Sequence, residues 1–125
     1  MASDVQALLT KAYVASAAVS KYRFVKVATS TMKVSMAGDG EQAQGIALEA
    51  ALADGDVISV ALIGIVPIEA EAAIAAGLGV SCGTNGKGKL SLITTPFLGM
   101  ALQDIAQDEV GAILFIPVKA LAIAS

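Results

Sequence analysis

Apolar and polar positions alternate with a period of two through much of this chain, and glycine, aspartate and asparagine punctuate the alternation. Tyr22–Ala28 (YRFVKVA) is rich in β-branched and aromatic residues, which predicts a strand with Phe24 turned inward. Met32–Ala37 sets Met32, Val34 and Met36 on one face and Lys33 and Ser35 on the other, the signature of a half-buried strand. Gly38-Asp39-Gly40 ends it, and Gln44–Leu48 predicts a third strand. Val57–Val66 is the longest strand expected: Ile58, Val60, Leu62 and Val66 form one face, Val57, Ser59, Ala61, Ile63 and Ile65 the other. Both faces are largely apolar and both require cover, a core on one side and a subunit or loop on the other. Ser59, Ala61, Ile63 and Ile65 are therefore the candidate oligomer interface. Leu78–Cys82, Lys89–Ile93 and Val110–Val118 read as further strands. Gly83–Gly88 carries the Asn-Gly hairpin signal, and Pro67 and Thr94-Thr95-Pro96 read as breaks.

Three stretches depart from this texture. Residues 1–16 read either as a short helix, capped by Ser3 or Asp4 with Val5, Leu8, Leu9 and Ala12 at spacings of three and four, or as an extended arm. Glu49–Ala53 predicts a helical turn. Glu69–Ala76 (EAEAAIAA) is the best helix candidate, with Gly77 in the favoured position past its end.

The pattern also repeats. Gly45-Ile-Ala-Leu48 returns as Gly99-Met-Ala-Leu102, Ala17-Ala-Val19 as Ala72-Ala-Ile74, and Lys33-Val-Ser-Met36 as Lys89-Leu-Ser-Leu92. The acidic bends Asp54-Gly55-Asp56 and Asp108-Glu109 fall at the same offset. Anchors in one order at a near-constant spacing indicate an internal duplication. The expected fold is mainly β: a compact β-barrel or sandwich built from two duplicated hairpin units, with one or two short helices. Residues 17–125 would form one β-rich domain, with repeats at about 17–66 and 72–118.

Composition changes the picture in one respect. The chain is 56% hydrophobic and only 15% charged, against roughly a quarter charged in ordinary domains, and much of the apolar content is alanine. Small side chains with little charge leave a surface suited to docking in an assembly. A net charge of −3 without a run of Lys or Arg offers no footprint for nucleic acid. Single Cys82 excludes an internal disulfide. The run Val57–Ile68 has twelve residues, too short for the roughly 20 of a membrane-spanning helix. Asp4 stands where a secretory signal would be basic, so synthesis in the cytosol without a membrane partner is expected.

Equipment for catalysis is missing from the sequence. The chain has no histidine, the commonest general base and transition-metal ligand. Cys82 falls in an expected strand with nothing to activate it, and Ser59, Ser81 and Ser91 lack a glycine-framed elbow. Asp54, Asp56, Asp104, Asp108 and Glu109 lack the dense ligand spacing of a calcium loop and read as solvated turn residues. GTNGKG lacks the phosphate-loop pattern. No catalytic residue, metal or cofactor is expected.

Ala17–Val27 (AAVSKYRFVKV), Gln44–Val66 (QGIALEAALADGDVISVALIGIV), Ala72–Gly77 and the closing Gly-Met-Ala-Leu unit resemble the small capsid decoration, or cement, proteins of tailed bacteriophages. The likeness runs from about residue 17 to residue 118 and departs from the common form at Leu78-Gly79-Val80 and Thr94-Thr95-Pro96-Phe97. It implies a compact β-rich protein, often oligomeric, on the outside of the expanded head. The expected partners are the major capsid protein and further copies of the chain, a trimer being favoured. Val5, Leu8, Leu9, Lys11 and Tyr13, lying outside the duplicated segment, are the expected capsid contact; deleting residues 2–16 should then leave a folded chain that no longer binds heads. A small oligomeric β-barrel enzyme of nucleotide-hydrolase type and a head-surface appendage binding host or glycan are the alternatives. With 4% aromatic residues and no Trp, a sugar-stacking platform is disfavoured.

Overall fold

The computed structural model describes residues 6–91 and 97–116, apart from the side chain of Leu8. Among these residues nine strands form one antiparallel sheet: β1 (Gln6–Val14), β2 (Phe24–Val27), β3 (Val34–Met36), β4 (Gly45–Ala47), β5 (Val57–Glu69), β6 (Gly79–Cys82), β7 (Gly88–Leu90), β8 (Gly99–Ala101) and β9 (Val110–Phe115). The strand order β3-β2-β4-β5-β1 curls until Ala15, just past β1, bridges Val34 of β3. The order β7-β6-β8-β9-β5 curls the same way, and Ala70, just past β5, bridges Gly88 of β7. The mainly β architecture is thus two small barrels that share β5.

Pairings recur between the barrels. The β1–β5, β2–β3, β2–β4 and β4–β5 ladders have their counterparts in β5–β9, β6–β7, β6–β8 and β8–β9. The isolated bridge Val19↔Ala51 returns as Ile74↔Ile105. Hence Arg23 stands where Leu78 stands, Val34 where Gly88 stands, and Ile58 where Gly111 stands; the Lys-x-Ser match of the repeat is thereby corrected by two residues, Lys33 standing where Lys87 stands. The two glycines of the Gly-x-Ala-Leu motif share one reason: a Cβ on Gly45 would strike Val60 and come within 2.9 Å of the Ala61 carbonyl, and one on Gly99 would strike the Leu114 carbonyl.

The cores are filled by the same positions with different sizes. The first barrel buries Val34 and Ile58 beside Val19 and Ala51. In the second, Gly88 and Gly111 replace the first two, while Ile74 and Ile105 replace the others and are 2% exposed. A Cβ on Gly111 would lie against Cγ1 of Ile105. Bulk moves across the barrel, from Val34 and Ile58 on one side to Ile74 and Ile105 on the other, and these four positions carry fewer side-chain carbons in the second barrel than in the first; a close-packed interior tolerates such an exchange where the neighbours take up the difference. A larger cluster joins the barrels, with Phe24 and Phe115 in tilted contact at 5.8 Å between ring centroids.

Several expectations are corrected. Residues 6–14 are neither helix nor arm but strand β1, paired with β5 along Val57–Ile65. Register shifts at Ala7/Leu9 and Leu9/Thr10 break its alternation, and this irregular spacing mimics a helical one. Deleting residues 2–16 would remove a barrel wall, so that deletion is no clean test of binding. Among the described residues the only helix is a 3₁₀ turn at Thr84–Gly86. In Glu69–Ala76 the Ala70, Glu71 and Ile74 N–H groups donate to Glu109, Gly88 and Ile105 carbonyls; these long-range bonds outweigh the helix propensity of alanine, because a helix of two turns is marginal by itself. In Glu49–Ala53, likewise, Ala51 is tied to Val19. Pro67 does not end β5. Two residues on, the Glu69 N–H donates to the Tyr22 carbonyl on the edge away from β9, so the N–H that proline lacks would face that edge, beyond Ile65, the last described partner of β1. Of the strand ends expected, Leu92–Ile93, Thr94-Thr95-Pro96 and Pro117–Val118 lie outside the described residues.

Candidate interaction surface

Several of the groups singled out for chemistry are engaged structurally. Ser81 Oγ donates to Ser91 Oγ at 2.9 Å. Cys82 is buried, its Sγ 3.4 Å from the Gly83 carbonyl, and burial pushes the thiol up to about 12. Asp56 accepts from the Leu52 and Ala53 N–H groups at 2.7 and 3.2 Å, closing its own turn, and Asp104 accepts from Ala76 N–H at 2.8 Å. Asp54 pairs with Lys33 at 3.1 Å. Among the described residues no group of three His, Cys, Asp or Glu side chains could hold a metal ion, and no helix is long and apolar enough to cross a membrane.

The junction between the barrels is the best-defined polar site. Arg23, on the approach to β2, reaches across to Glu69 at the end of β5, with Nη2 3.1 Å from Oε1, and donates through Nη1 to the Asn85 carbonyl at 3.0 Å. Lys87 bridges Glu69 at 3.4 Å and Asp108 at 2.9 Å; the hydrogen bond to Asp108 holds its ammonium above the usual lysine range, with Glu69 adding to it. Asp39 meets Lys89 at 2.6 Å, and the Gly40 N–H donates to the Cys82 carbonyl at 2.8 Å. Gly86 permits this approach. Its φ is +75°, and a Cβ there would sit 2.7 Å from the Phe24 carbonyl oxygen. Every one of these bonds joins first-barrel to second-barrel residues or braces one that does.

Away from the junction, among the described residues, each barrel has one face that exposes apolar side chains. In the first, Lys11–Val14 and Thr31–Lys33 line a groove of about 330 Å³, with Met32 53% exposed at φ +60° on its rim. In the second, Leu78, Leu90, Phe97 and Met100 are 45%, 43%, 45% and 37% exposed. A groove of about 610 Å³ beside them is lined by Leu78, Leu90, Asp104 and Glu109 among others.

The residues expected to bind are split by this arrangement. Leu9, Lys11 and Tyr13 all lie on β1, opposite Ile63, Val60 and Ile58. Leu9 is 55% exposed and Lys11 exposed, whereas Tyr13 is half-buried against the first core. Val5 and the side chain of Leu8 lie outside the described residues. Ser59, Ile63 and Ile65 are half-buried on β5 beside β1. Ala61 is a correction: its side chain faces the cluster that joins the barrels and is wholly buried there, while β1 and β4 pair with its strand on either edge. Sequence reasoning missed Leu78, Phe97 and Met100. The signal was present in the repeat, where Arg23, Ala43 and Ile46 are their counterparts.

No family model and no curated protein matches the chain. Among solved structures, it is similar to the head fibre gp8.5 N base of bacteriophage phi29, with a TM-score of 0.74 at 16% sequence identity, covering 89% of this chain and 96% of that one. The likeness is one of fold.

Proposed function

We propose that this chain is a structural protein of a tailed-phage head, a decoration protein that binds the outer surface of the capsid and braces the major capsid protein lattice as a homo-oligomer. The observation that carries the reading is the match of nearly the whole chain to the phi29 head fibre base fold, reached independently of the resemblance of Ala17–Val27 and Gln44–Val66 to cement proteins. The engagement of its ionisable groups in turns and ion pairs, and the exposure of large apolar side chains on a weakly charged surface, fit a protein that works by contact. Many copies on a lattice convert modest contacts into a strong brace. The capsid contact is assigned to the N-terminal half of β1, where Leu9 is exposed. Leu9→Asp should leave the far-UV circular dichroism spectrum unchanged and weaken head binding at least tenfold; unaltered binding would remove β1 from the contact.

A second reading is favoured by the neighbour itself: the module is the base on which a head fibre stands. A fibre base also binds the head, so the readings separate on whether a longer, fibre-forming polypeptide carries this module in purified virions.

A further inference from the structure

The junction inside the chain is a template for a contact between chains. It places the face of the first barrel that bears Arg23, Ala43 and Ile46 on the end of the second barrel formed by Val66, Ile68 and Glu69. Ala43, Ile46, Val66 and Ile68 are completely buried there. The second barrel owns the counterpart of the first face, and among the described residues it is bare: Leu78, Phe97 and Met100 are 45%, 45% and 37% exposed. The first barrel owns the counterpart of the second end, and it too is open: Lys11, Tyr13 and Val14 stand where Val66, Ile68 and Glu69 stand, lining the groove with Met32. Among the described residues one face has no acceptor and one groove no occupant.

The substitutions at these positions are correlated. Where the chain meets itself, Arg23 pairs with Glu69. Where it is open, both counterparts are apolar, Leu78 and Val14. An unpaired charge on either would be costly in a desolvated contact, whereas two apolar side chains suit each other. The copy is not strict. Gly86 allows the backbone of the first barrel to approach, but its counterpart Met32 keeps the same left-handed backbone with a side chain attached, so Met32 adds an apolar contact and sets the partner farther out.

We infer that copies of this chain associate head to tail, the Leu78–Phe97–Met100 face of one seating on the Tyr13–Val14–Met32 groove of the next and continuing the barrel-to-barrel junction outward. Such a contact is heterologous and generates a closed ring where its rotation closes. Lys11 and Tyr13, expected to touch the capsid, then belong to self-association. The inference deepens the homo-oligomer element of the function proposed above, but its test uses the isolated chain, so failure here leaves head binding untouched.

The experiment is sedimentation of the full-length protein at about 100 µM, high enough to populate a contact of micromolar Kd, with circular dichroism as the check on folding. Wild type should sediment as an oligomer of the 12.5 kDa chain. Leu78→Arg and Val14→Glu each install the residue that the other barrel carries at that position; each alone should give monomer. The double variant Leu78→Arg/Val14→Glu should reassemble, because the Arg–Glu pair of the internal junction is recreated between chains. An equimolar mixture of the two single variants should assemble beyond a dimer, because the Arg-bearing face of one meets the Glu-bearing groove of the other and the unchanged Leu78 and Val14 surfaces left on them make the wild-type contact. Monomeric wild type, single variants that assemble as wild type does, or a double variant that stays monomeric would overturn the inference. So would assembly that begins only when residues 117–125 are removed, since the face would then be covered by the chain's own terminus.

Discussion

Ile105 and Gly111 form a size-matched pair, and a double-mutant cycle measures the match. Ile105→Ala removes three buried carbons, about 2.4 kcal/mol at roughly 0.8 kcal/mol each. The partly collapsed cavity brings the expected cost to about 3 kcal/mol, within the range for Ile→Ala. Gly111→Ala places a Cβ against Cγ1 of Ile105, with Cδ1 at 2.9 Å; overpacking of this kind costs about 1–3 kcal/mol. In the double variant the atoms struck are gone, leaving the Ile105 Cβ at 3.3 Å, a tight contact that a small shift beside the new cavity relieves, and the new methyl fills part of that cavity. Replacing glycine also lowers the entropy of the unfolded chain, by about 0.4–1 kcal/mol. The double variant should therefore be no less stable than Ile105→Ala alone, a coupling of about 1.5–3 kcal/mol in favour of the pair. Urea unfolding followed by far-UV circular dichroism gives the four stabilities, with equal m-values required for the comparison. Costs that add to within about 0.5 kcal/mol would refute the packing account. The first barrel supplies the precedent, since Ala51 and Ile58 hold the same two places with the sizes exchanged.

Two further outcomes follow from the junction and from charge. Gly77 and Gly86 both have left-handed backbone, but nothing lies within 4 Å of a Cβ on Gly77. Gly77→Ala should cost the left-handed penalty of about 1–2 kcal/mol, and Gly86→Ala should exceed it by about 1–3 kcal/mol because the Phe24 carbonyl is in the way; equal costs in urea would show that the barrels do not meet as described. Glu41 is held below the usual carboxylate range, first by its hydrogen bond from Lys26 and then by the Gly38 N–H. A depressed carboxylate stabilises above its unfolded value and loses that contribution as pH falls through its folded one. Wild type should thus be more stable than Glu41→Gln near pH 6, and the gap should close as pH falls through the depressed folded value, read from urea midpoints; a gap that persists in acid would assign the effect to something other than this carboxylate.

How far the chain could be read from its letters depended on how local the cause was. β2, β3, β4 and the Asn-Gly turn are announced by alternation and turn chemistry, and Asn85 and Gly86 do take the left-handed backbone that a tight hairpin needs. β1 was hidden by its register shifts, and Glu69–Ala76 by an alanine content whose helical preference is overruled by strands remote in sequence. Pro67 misleads because proline's effect depends on which edge of the strand its nitrogen faces, a tertiary fact. Ala61 fails as an interface residue for the same reason: alternation shows that a face is apolar but not which neighbour covers it. The open faces were legible only by comparing counterparts, since Leu78 and Phe97 are unremarkable until Arg23 and Ala43 are set beside them.

The function proposed for the chain stands or falls on whether it binds heads. Purified protein should co-sediment with expanded heads of its own phage to saturation and leave unexpanded heads bare, because expansion creates the lattice surface a decoration protein braces. Equal binding to both forms, or to neither, would contradict the account.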